Sequence, residues 1–279
     1  MSARILLISP DGMLGRAFSE ALARRGDAFD HVQHPEIDLT RPETLSHVHS
    51  GHRLVINCAA YTDVDAAETN EALATQINGH GVGALGKRCR EMGAKLVHFG
   101  TDYVFSGDAK SPYPVDAEIA PQGAYGRSKA VGERALVESG TDHLYIRTSW
   151  LYAPWAKNFV RTIAALSKTK MHLRVVDDQR GRPTSAEHLA RTTLALIDRD
   201  RRGAWHVTDG GECTWFDFAR EIVRLVGSDC VVEPCTTAEF PRPAKRPAYS
   251  VLDLSRVEAE LGPMPSWQSA LADVIARLE

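Results

Sequence analysis

The sequence RILLISPDGMLG, residues 4–15, decides the fold. Its first five residues form an apolar run that is typical of a strand buried on both faces of a parallel sheet. Two glycines, Gly12 and Gly15, follow in a short turn, and an amphipathic pattern over residues 13–25 predicts a helix directly after it. A strand, a glycine-containing turn and a helix in this order are typical of the first unit of a dinucleotide-binding sheet.

The same alternation of strand and helix patterns continues along the chain. The predicted strands cover residues 4–8, 29–33, 54–58, 95–99 and 143–148, and the predicted helices cover residues 13–25, a stretch opening near 41, about 66–92, 124–138 and a stretch after 158. This order predicts an α/β fold, a Rossmann-type doubly wound parallel sheet, as a dinucleotide-binding domain over residues 1–165.

Residues 166–279 predict a smaller α/β substrate-binding region that is partly interleaved with the first domain. Its predicted elements are a strand near 173–176, a helix at 186–197, a strand at 204–207 and a closing helix at 266–278 with Ser266 as its N-cap. The segment at 241–247, PRPAKRP, holds too many prolines for a helix or a central strand, so we expect an extended loop.

Composition narrows the class of function. The chain has 279 residues, with 33 Lys and Arg against 36 Asp and Glu, and this near balance argues against a nucleic-acid or anionic membrane surface. No segment approaches the roughly 20 apolar residues of a membrane helix, and the N-terminus lacks the apolar core of a signal peptide. Five cysteines without a C-x-x-C pair, and eleven histidines without H-E-x-x-H, predict no metal site and a reducing, cytoplasmic location.

A tyrosine and a lysine lie four residues apart in the segment YGRSK, residues 125–129. On a helix this spacing puts Tyr125 and Lys129 on one face, with the ammonium near the phenol. A neighbouring cation lowers the pKa of a tyrosine from about 10 toward neutral pH, as a proton donor to a carbonyl oxygen requires. Such a pair also arises by chance, but after a dinucleotide-type turn it predicts a catalytic role.

Further candidates follow the ends of predicted strands. Ligands of open α/β sheets bind beyond the carboxyl ends of the strands, so we expect the Thr101 hydroxyl to face the same crevice as Tyr125 and to bond the reacting oxygen. The alternative is that Thr101 satisfies a backbone group in its turn. Trp150, after the fifth strand, offers an indole to this crevice, and the alternative is a place in the core.

Several motifs, in this order, resemble the dTDP-4-dehydrorhamnose reductases, a family of extended short-chain dehydrogenases. The motifs span almost the whole chain and are GMLG at 12–15, NCAAYTDVDAAE at 57–68, TDYVF at 101–105, YGRSK at 125–129, RTSW at 147–150, VVDDQRGRPT at 175–184 and RPAYS at 246–250. The resemblance implies NAD(P)H-dependent reduction of the C4 ketone of a dTDP-4-keto-6-deoxyhexose, with dTDP-4-dehydrorhamnose to dTDP-L-rhamnose as the leading case.

The resemblance also implies roles for individual residues. Tyr125 would donate the proton, Lys129 would bind the nicotinamide ribose, and Thr101 would tune the reacting oxygen. The other implied cofactor contacts are Gly12, Met13 and Leu14 at the pyrophosphate, Asp38 and Leu39 near the adenine, and Ala59, Ala60 and Tyr61 along the nicotinamide half. The implied substrate contacts are Thr101, Asp102, Trp150 and Arg246.

The cofactor and the substrate are less determined than the fold. No Asp or Glu stands directly after the second strand, and His34 is placed to face a 2′-phosphate, so NADPH is favoured over NADH. Ser9 replaces the usual first glycine of the turn, and Tyr61 stands where relatives often have His. Arg180 and Arg182 suit either a substrate diphosphate or a solvated surface pair.

Three alternatives remain open at this point. The first is a reductase of another nucleotide-linked 4-keto deoxysugar. The second is a non-catalytic regulatory subunit that retains the fold, and the third is a nucleotide-sugar epimerase. The intact set of Thr101, Tyr125 and Lys129 argues against a regulatory subunit. A homodimer is left open as a partner state.

Overall fold

The centre of the protein is a parallel sheet, in a computed structural model that describes residues 4–278. The strands of the chain are β1 (Arg4–Ile8), β2 (Phe29–Val32), β3 (His52–Asn57), β4 (Lys95–Thr101), β5 (His143–Thr148), β6 (Leu151–Tyr152), β7 (His172–Val176), β8 (Arg180–Gly181), β9 (Thr184–Ser185), β10 (Gly203–His206), β11 (Cys213–Thr214) and β12 (Val231–Cys235). Six of them form the central sheet in the order β2-β1-β3-β4-β5-β10. The order reverses between β1 and β3, the place where doubly wound sheets open a ligand crevice.

Helices cover both faces of this sheet. They are α1 (Met13–Arg25), α2 (Val64–Ala67), α3 (Glu71–Thr75), α4 (Gly81–Met92), α5 (Ala124–Glu138), α6 (Phe159–Ser167), α7 (Ala186–Asp198), α8 (Trp215–Leu225), α9 (Ser255–Leu261) and α10 (Trp267–Ile275). On one face, Phe18 of α1 and Leu189 of α7 pack on the sheet; on the other, Leu85 of α4 and Leu136 of α5 do so. The apolar strands are therefore buried on both faces of the sheet, and the expected doubly wound fold is confirmed.

Two helix predictions are wrong. The stretch opening near residue 41 forms only a 3₁₀ turn, Pro42–His47. The long helix expected at 66–92 is broken into α2, α3, a π-helical turn at Gln76–His80, and α4. The π turn meets α5 closely, since a Cβ on Gly132 would lie 1.9 Å from the Asn78 carbonyl oxygen. Tertiary packing against α5 thus overrides a helical pattern in the sequence.

The C-terminal half of the chain returns to the central sheet. β10 pairs with β5, and α7 packs against α1, while the two-stranded pairs β7–β12, β8–β11 and β6–β9 lie outside that sheet. The boundary at residue 165 stays a prediction. Within residues 4–278, no helix has both the length and the apolar character needed to cross a membrane.

Candidate active site

The turn between β1 and α1 provides a backbone surface for an anion. Ser9 has φ 64°, in the left-handed region that favours glycine, which explains why a glycine is usual there. Gly15 is required by close packing, because a Cβ there would lie 1.9 Å from the Ser9 carbonyl oxygen. No side chain among the described residues caps the start of α1 at Gly12, so its first N–H groups suit a pyrophosphate. Met13 and Leu14 form the first turn of this helix.

The candidate adenosine residues lie in the loop after β2. His34 is exposed, and its Nε2 lies 3.8 Å from the Asp38 carboxylate. Asp38 itself accepts hydrogen bonds from the Thr40 backbone and hydroxyl, and these bonds hold the pKa of its carboxyl below the usual range. Leu39 is buried beneath this loop. The Asp38 carboxylate therefore orders its own loop, and His34 is among the side chains exposed to solvent there.

A network that the sequence did not reveal orders the segment after β3. Asn78, on the π turn, accepts from the Tyr61 backbone N–H at 2.8 Å and donates to the Tyr61 carbonyl at 3.0 Å. Asn57 accepts from the Ala59 N–H at 3.0 Å and contacts the His98 ring at 3.1 Å. Ala59, Ala60 and Tyr61 are thereby held at the carboxyl end of β3, beside the switch point. The sequence offers no signal for the contact between Asn78 and Tyr61, because the 17-residue separation between them does not by itself predict a hydrogen bond.

The three predicted catalytic residues come together at the carboxyl end of β4. Thr101 ends β4 and pairs with Thr148 of β5, and Tyr125 lies in the first turn of α5. The Tyr125 and Tyr103 rings pack edge to face with their centroids 6.0 Å apart. Lys129 follows one turn later on α5 and is 4% exposed.

The expected effect of Lys129 on Tyr125 is contradicted. The Lys129 ammonium donates to the Phe99 carbonyl at 3.0 Å, and burial lowers its pKa to about 8. The pKa of Tyr125 is raised, first by burial and then by the charge of Asp102, while the hydrogen bond with Thr101 lowers it. The helical spacing placed both residues on one face, but it could not show where the flexible ammonium is bonded.

Glu68 fixes the start of α5. Its Oε1 accepts from the Ala124 N–H at 2.8 Å, and Arg127 pairs with Glu71 through two nitrogens. Both carboxylates come from the region where a continuous helix was expected. The break in that helix lets Glu68 reach the helix that carries Tyr125, which sequence reasoning missed.

The candidate substrate residues lie around this group. Trp150, with φ 46°, stacks on Trp215 at a centroid distance of 3.6 Å and lies against Gly181. Asp102 is buried, and its Oδ1 accepts from the Thr101 hydroxyl at 3.0 Å. Trp150 therefore keeps one face in an aromatic stack, while the Asp102 carboxyl is bonded to Thr101.

The proline-rich loop covers one side of the site as an extended segment, as expected. Arg246 lies 3.4 Å from the Asp65 carboxylate of α2, and the Ala244 N–H also donates to Asp65. A cavity of about 270 Å³ separates this loop from Tyr103 and the turn at residues 105–108. No group of three or more candidate metal ligands occurs within the described part of the chain.

Comparison with known proteins identifies relatives along the whole chain. The family model for the RmlD substrate binding domain matches residues 3–279. A dTDP-4-dehydrorhamnose reductase from Streptomyces griseus is 40% identical over 97% of this chain and 92% of its own. A probable dTDP-4,6-dihydroxy-2-methyloxan-3-one 4-ketoreductase from Streptomyces antibioticus is 41% identical over 97% of this chain and 94% of its own.

A solved structure extends this similarity to the fold. The dTDP-4-dehydrorhamnose reductase from Bacillus anthracis, in complex with NADP, has a TM-score of 0.95 at 34% identity. The alignment covers 99% of each chain. The fold around the candidate site is thus shared along the full length of both proteins.

Proposed function

The chain belongs to the dTDP-4-dehydrorhamnose reductase family, and from this premise we propose that it reduces dTDP-4-dehydrorhamnose at the site formed by Thr101, Tyr125 and Lys129. It is an NADPH-dependent oxidoreductase that acts on the ketone of a dTDP-4-keto sugar. The observation that supports this site is the packing of the Tyr125 ring on Tyr103, which follows Thr101 at the carboxyl end of β4. The backbone turn suited to a pyrophosphate follows β1, at the same edge of the parallel sheet.

The residues of this chain fit the cofactor. The uncapped start of α1 offers N–H donors to the pyrophosphate, and the close packing at Gly15 leaves the turn free of side-chain bulk. Lys129 lies one helical turn after Tyr125 on α5, and burial lowers its pKa to about 8. The ammonium is therefore still mostly charged at neutral pH and can donate to a ribose hydroxyl. When bound, NADPH supplies the hydride that the reduction requires.

Protein groups supply the proton and the geometry. Tyr125 donates its phenolic proton to the carbonyl oxygen as that oxygen gains charge, and its raised pKa keeps it protonated at neutral pH. Thr101 is a buried residue whose hydroxyl donates to Asp102 Oδ1 at 3.0 Å, and we propose that this hydroxyl turns to bond the reacting oxygen when substrate is bound. A buried site strengthens these hydrogen bonds because water does not compete for them.

A panel of nucleotide-linked 4-keto sugars tests the assignment of the substrate. We expect NADPH oxidation with dTDP-4-keto-6-deoxy sugars and a much lower kcat/KM with their UDP counterparts. The similarity to the Streptomyces antibioticus 4-ketoreductase supports a second candidate, a related dTDP-linked 4-keto sugar. A preference for that sugar over dTDP-4-dehydrorhamnose would replace the first assignment.

Trp150 is proposed as a platform for the sugar nucleotide. Changing Trp150 to Leu should weaken sugar-nucleotide binding about threefold to tenfold, since an aromatic contact is worth about 0.5–1.5 kcal/mol, while NADPH affinity stays unchanged. Calorimetric titration with each ligand measures both. The matched control is Trp205→Leu, a buried tryptophan of β10, which should lower stability and leave ligand affinity unchanged. Unaltered sugar-nucleotide binding by Trp150→Leu would assign Trp150 to the core.

His34 is proposed to face the 2′-phosphate of NADPH. The change His34→Asp should repel that phosphate and shift the ratio of kcat/KM for NADPH over NADH about fivefold toward NADH, or about 1 kcal/mol at this exposed position. Steady-state kinetics with both cofactors measure the ratio. His172→Asp, at an exposed histidine on β7, serves as the control. A ratio equal to that of the control would remove His34 from the cofactor site.

The setting of the reaction is proposed from cysteine chemistry. All five cysteines are free in the described structure, and burial raises the pKa of Cys58 and Cys89 above the usual range. Free, unreactive thiols suit a reducing cytoplasm. A homodimer stays a prediction, which light scattering of the purified protein would test.

A further inference from the structure

The proline-rich loop at residues 241–247, the strap, is held to α2 by one carboxylate. Oδ1 of Asp65 accepts from the Ala244 backbone N–H at 3.3 Å, and its Oδ2 accepts from the Arg246 guanidinium at 3.4 Å. The Arg242 guanidinium lies 3.9 Å from the same Oδ2. One side chain of α2 therefore fixes both the backbone of the strap and the direction of a cation on it.

Prolines limit the freedom of the strap. Pro241, Pro243 and Pro247 each fix a backbone angle, and each also restricts the residue before it. Pro247 packs on the turn that contains Gly107, since a Cβ on that glycine would lie 2.5 Å from the Pro247 side chain. Because few backbone angles can change, the contact with Asp65 in the middle of the strap sets the position of the whole segment.

The Arg246 guanidinium has donors left for a ligand. Its Nε is enclosed and has no hydrogen-bond partner within residues 4–278, and its bond to Asp65 is long for a hydrogen bond to a carboxylate. Arg246 lines the cavity of about 270 Å³ together with Lys245 and Asp108, the other charged residues on its wall. Two cations against one anion leave this wall positive, and a guanidinium binds phosphate oxygens through two nitrogens.

We propose that Asp65 is a positioning residue for substrate binding, which holds Arg246 at the cavity so that the guanidinium binds the diphosphate of the sugar nucleotide. This inference rests on the proposed function, because the diphosphate is that of the dTDP-linked substrate. Asp65 acts through Arg246 and does not contact the sugar nucleotide itself, since two anions repel each other at close range.

The helix that carries Asp65 is fixed on both sides to the proposed active site. The segment before it is held at the carboxyl end of β3, where Asn78 bonds the backbone N–H and carbonyl of Tyr61. After it, Glu68 accepts from the Ala124 N–H at the start of α5, the helix of the proposed proton donor. A cation held by Asp65 therefore has a defined place relative to both the cofactor side and the proton donor.

The direct test is Asp65→Asn, which removes the charge and keeps the size of the side chain and one acceptor oxygen. In calorimetric titrations of the free protein with dTDP, we expect the Kd to rise about threefold to tenfold, the range for one net hydrogen bond. The Kd for NADPH should change by less than about twofold, because the contact between α2 and the strap does not involve the turn after β1.

The matched control is Asp63→Asn, which removes the same charge two residues earlier. Asp63 is the N-cap of α2 and accepts from the Ala66 N–H at 2.9 Å, and asparagine caps a helix as well as aspartate does. We expect this variant to bind dTDP like the parent. A loss as large as that of Asp65→Asn would show that the charge of α2 acts without the strap, and it would overturn the proposal.

A double variant tests whether Asp65 acts through Arg246. Arg246→Gln should weaken dTDP binding by itself, and adding Asp65→Asn should weaken it no further, because the two residues form one unit. A merely structural contact predicts the same additional loss with and without Arg246, and that result would overturn the proposal.

Steady-state kinetics with a dTDP-4-keto sugar give a separate signature. Asp65→Asn should raise KM for the sugar nucleotide by the same factor as the Kd for dTDP and change kcat by less than about twofold, since only binding is lost. An unchanged Kd and KM, or a fall in kcat alone, would contradict the role of Asp65. Failure of the proposed function is distinct, because the parent protein itself would then bind no dTDP and reduce no 4-keto sugar, which overturns both.

Discussion

Replacing Tyr125 by Phe is expected to lower kcat about 10²–10⁴-fold, the range for loss of a general acid. The substitution deletes the phenolic proton and keeps the ring that meets Tyr103 at 6.0 Å, so the start of α5 should be unchanged. The Kd for NADPH should change by no more than a few-fold. Single-turnover NADPH oxidation with a dTDP-4-keto sugar, followed at saturating substrate, measures the chemical step.

The control for this variant is Tyr103→Phe, which removes the neighbouring hydroxyl and should retain most of the activity. Near-parent turnover by Tyr125→Phe would show that another acid donates the proton. Equal losses in both variants would point to packing between the two rings as the cause.

Replacing Glu133 by Gln is expected to lower the free energy of unfolding by about 3–5 kcal/mol, because it leaves a buried charge without its partner. Glu133 of α5 binds Arg147 of β5 through both oxygens, and the two side chains are 11% and 4% exposed. Arg147 also donates to the Val115 carbonyl and to His206, whose pKa is lowered to about 3 mainly by burial. The neutral histidine cannot replace the lost negative charge. Urea unfolding of the two proteins measures the difference.

An exposed pair of the same chemistry provides the comparison. Glu71→Gln breaks the two-nitrogen contact with Arg127, where both side chains are more than 40% exposed, and should cost no more than about 1 kcal/mol. Similar losses in the two variants would mean that the Arg147 pair is not desolvated as the structure indicates.

Strong local patterns predicted the frame of the protein. α1 and α5 have the predicted bounds, as do β1 and β5, because their apolar periods are clear and their ends carry glycine or turn signals. These apolar periods and end signals are local, so they can be read from the sequence of each helix or strand alone. The carboxyl-end rule also predicts that Thr101 and Tyr125 face one crevice.

What the sequence did not predict depends on contacts between distant segments. Asn78 and Glu68 lie in a helical pattern, and their roles arise only once α5 packs beside them. The position of the Lys129 ammonium on the Phe99 carbonyl is likewise a tertiary contact. The resemblance implies that Asp102 contacts the substrate, and its hydrogen bond with Thr101 is a contact that only the folded chain shows.

The central claim is that this chain delivers hydride to C4 of a dTDP-4-keto sugar. The most direct measurement uses NADPH deuterated at the transferred position, dTDP-4-dehydrorhamnose and the purified protein, with the product analysed by NMR and mass spectrometry. We expect one deuterium, located at C4 of dTDP-L-rhamnose, for each NADPH oxidised. An unlabelled product, a label at another carbon, or no NADPH oxidation with any dTDP-4-keto sugar would contradict the account.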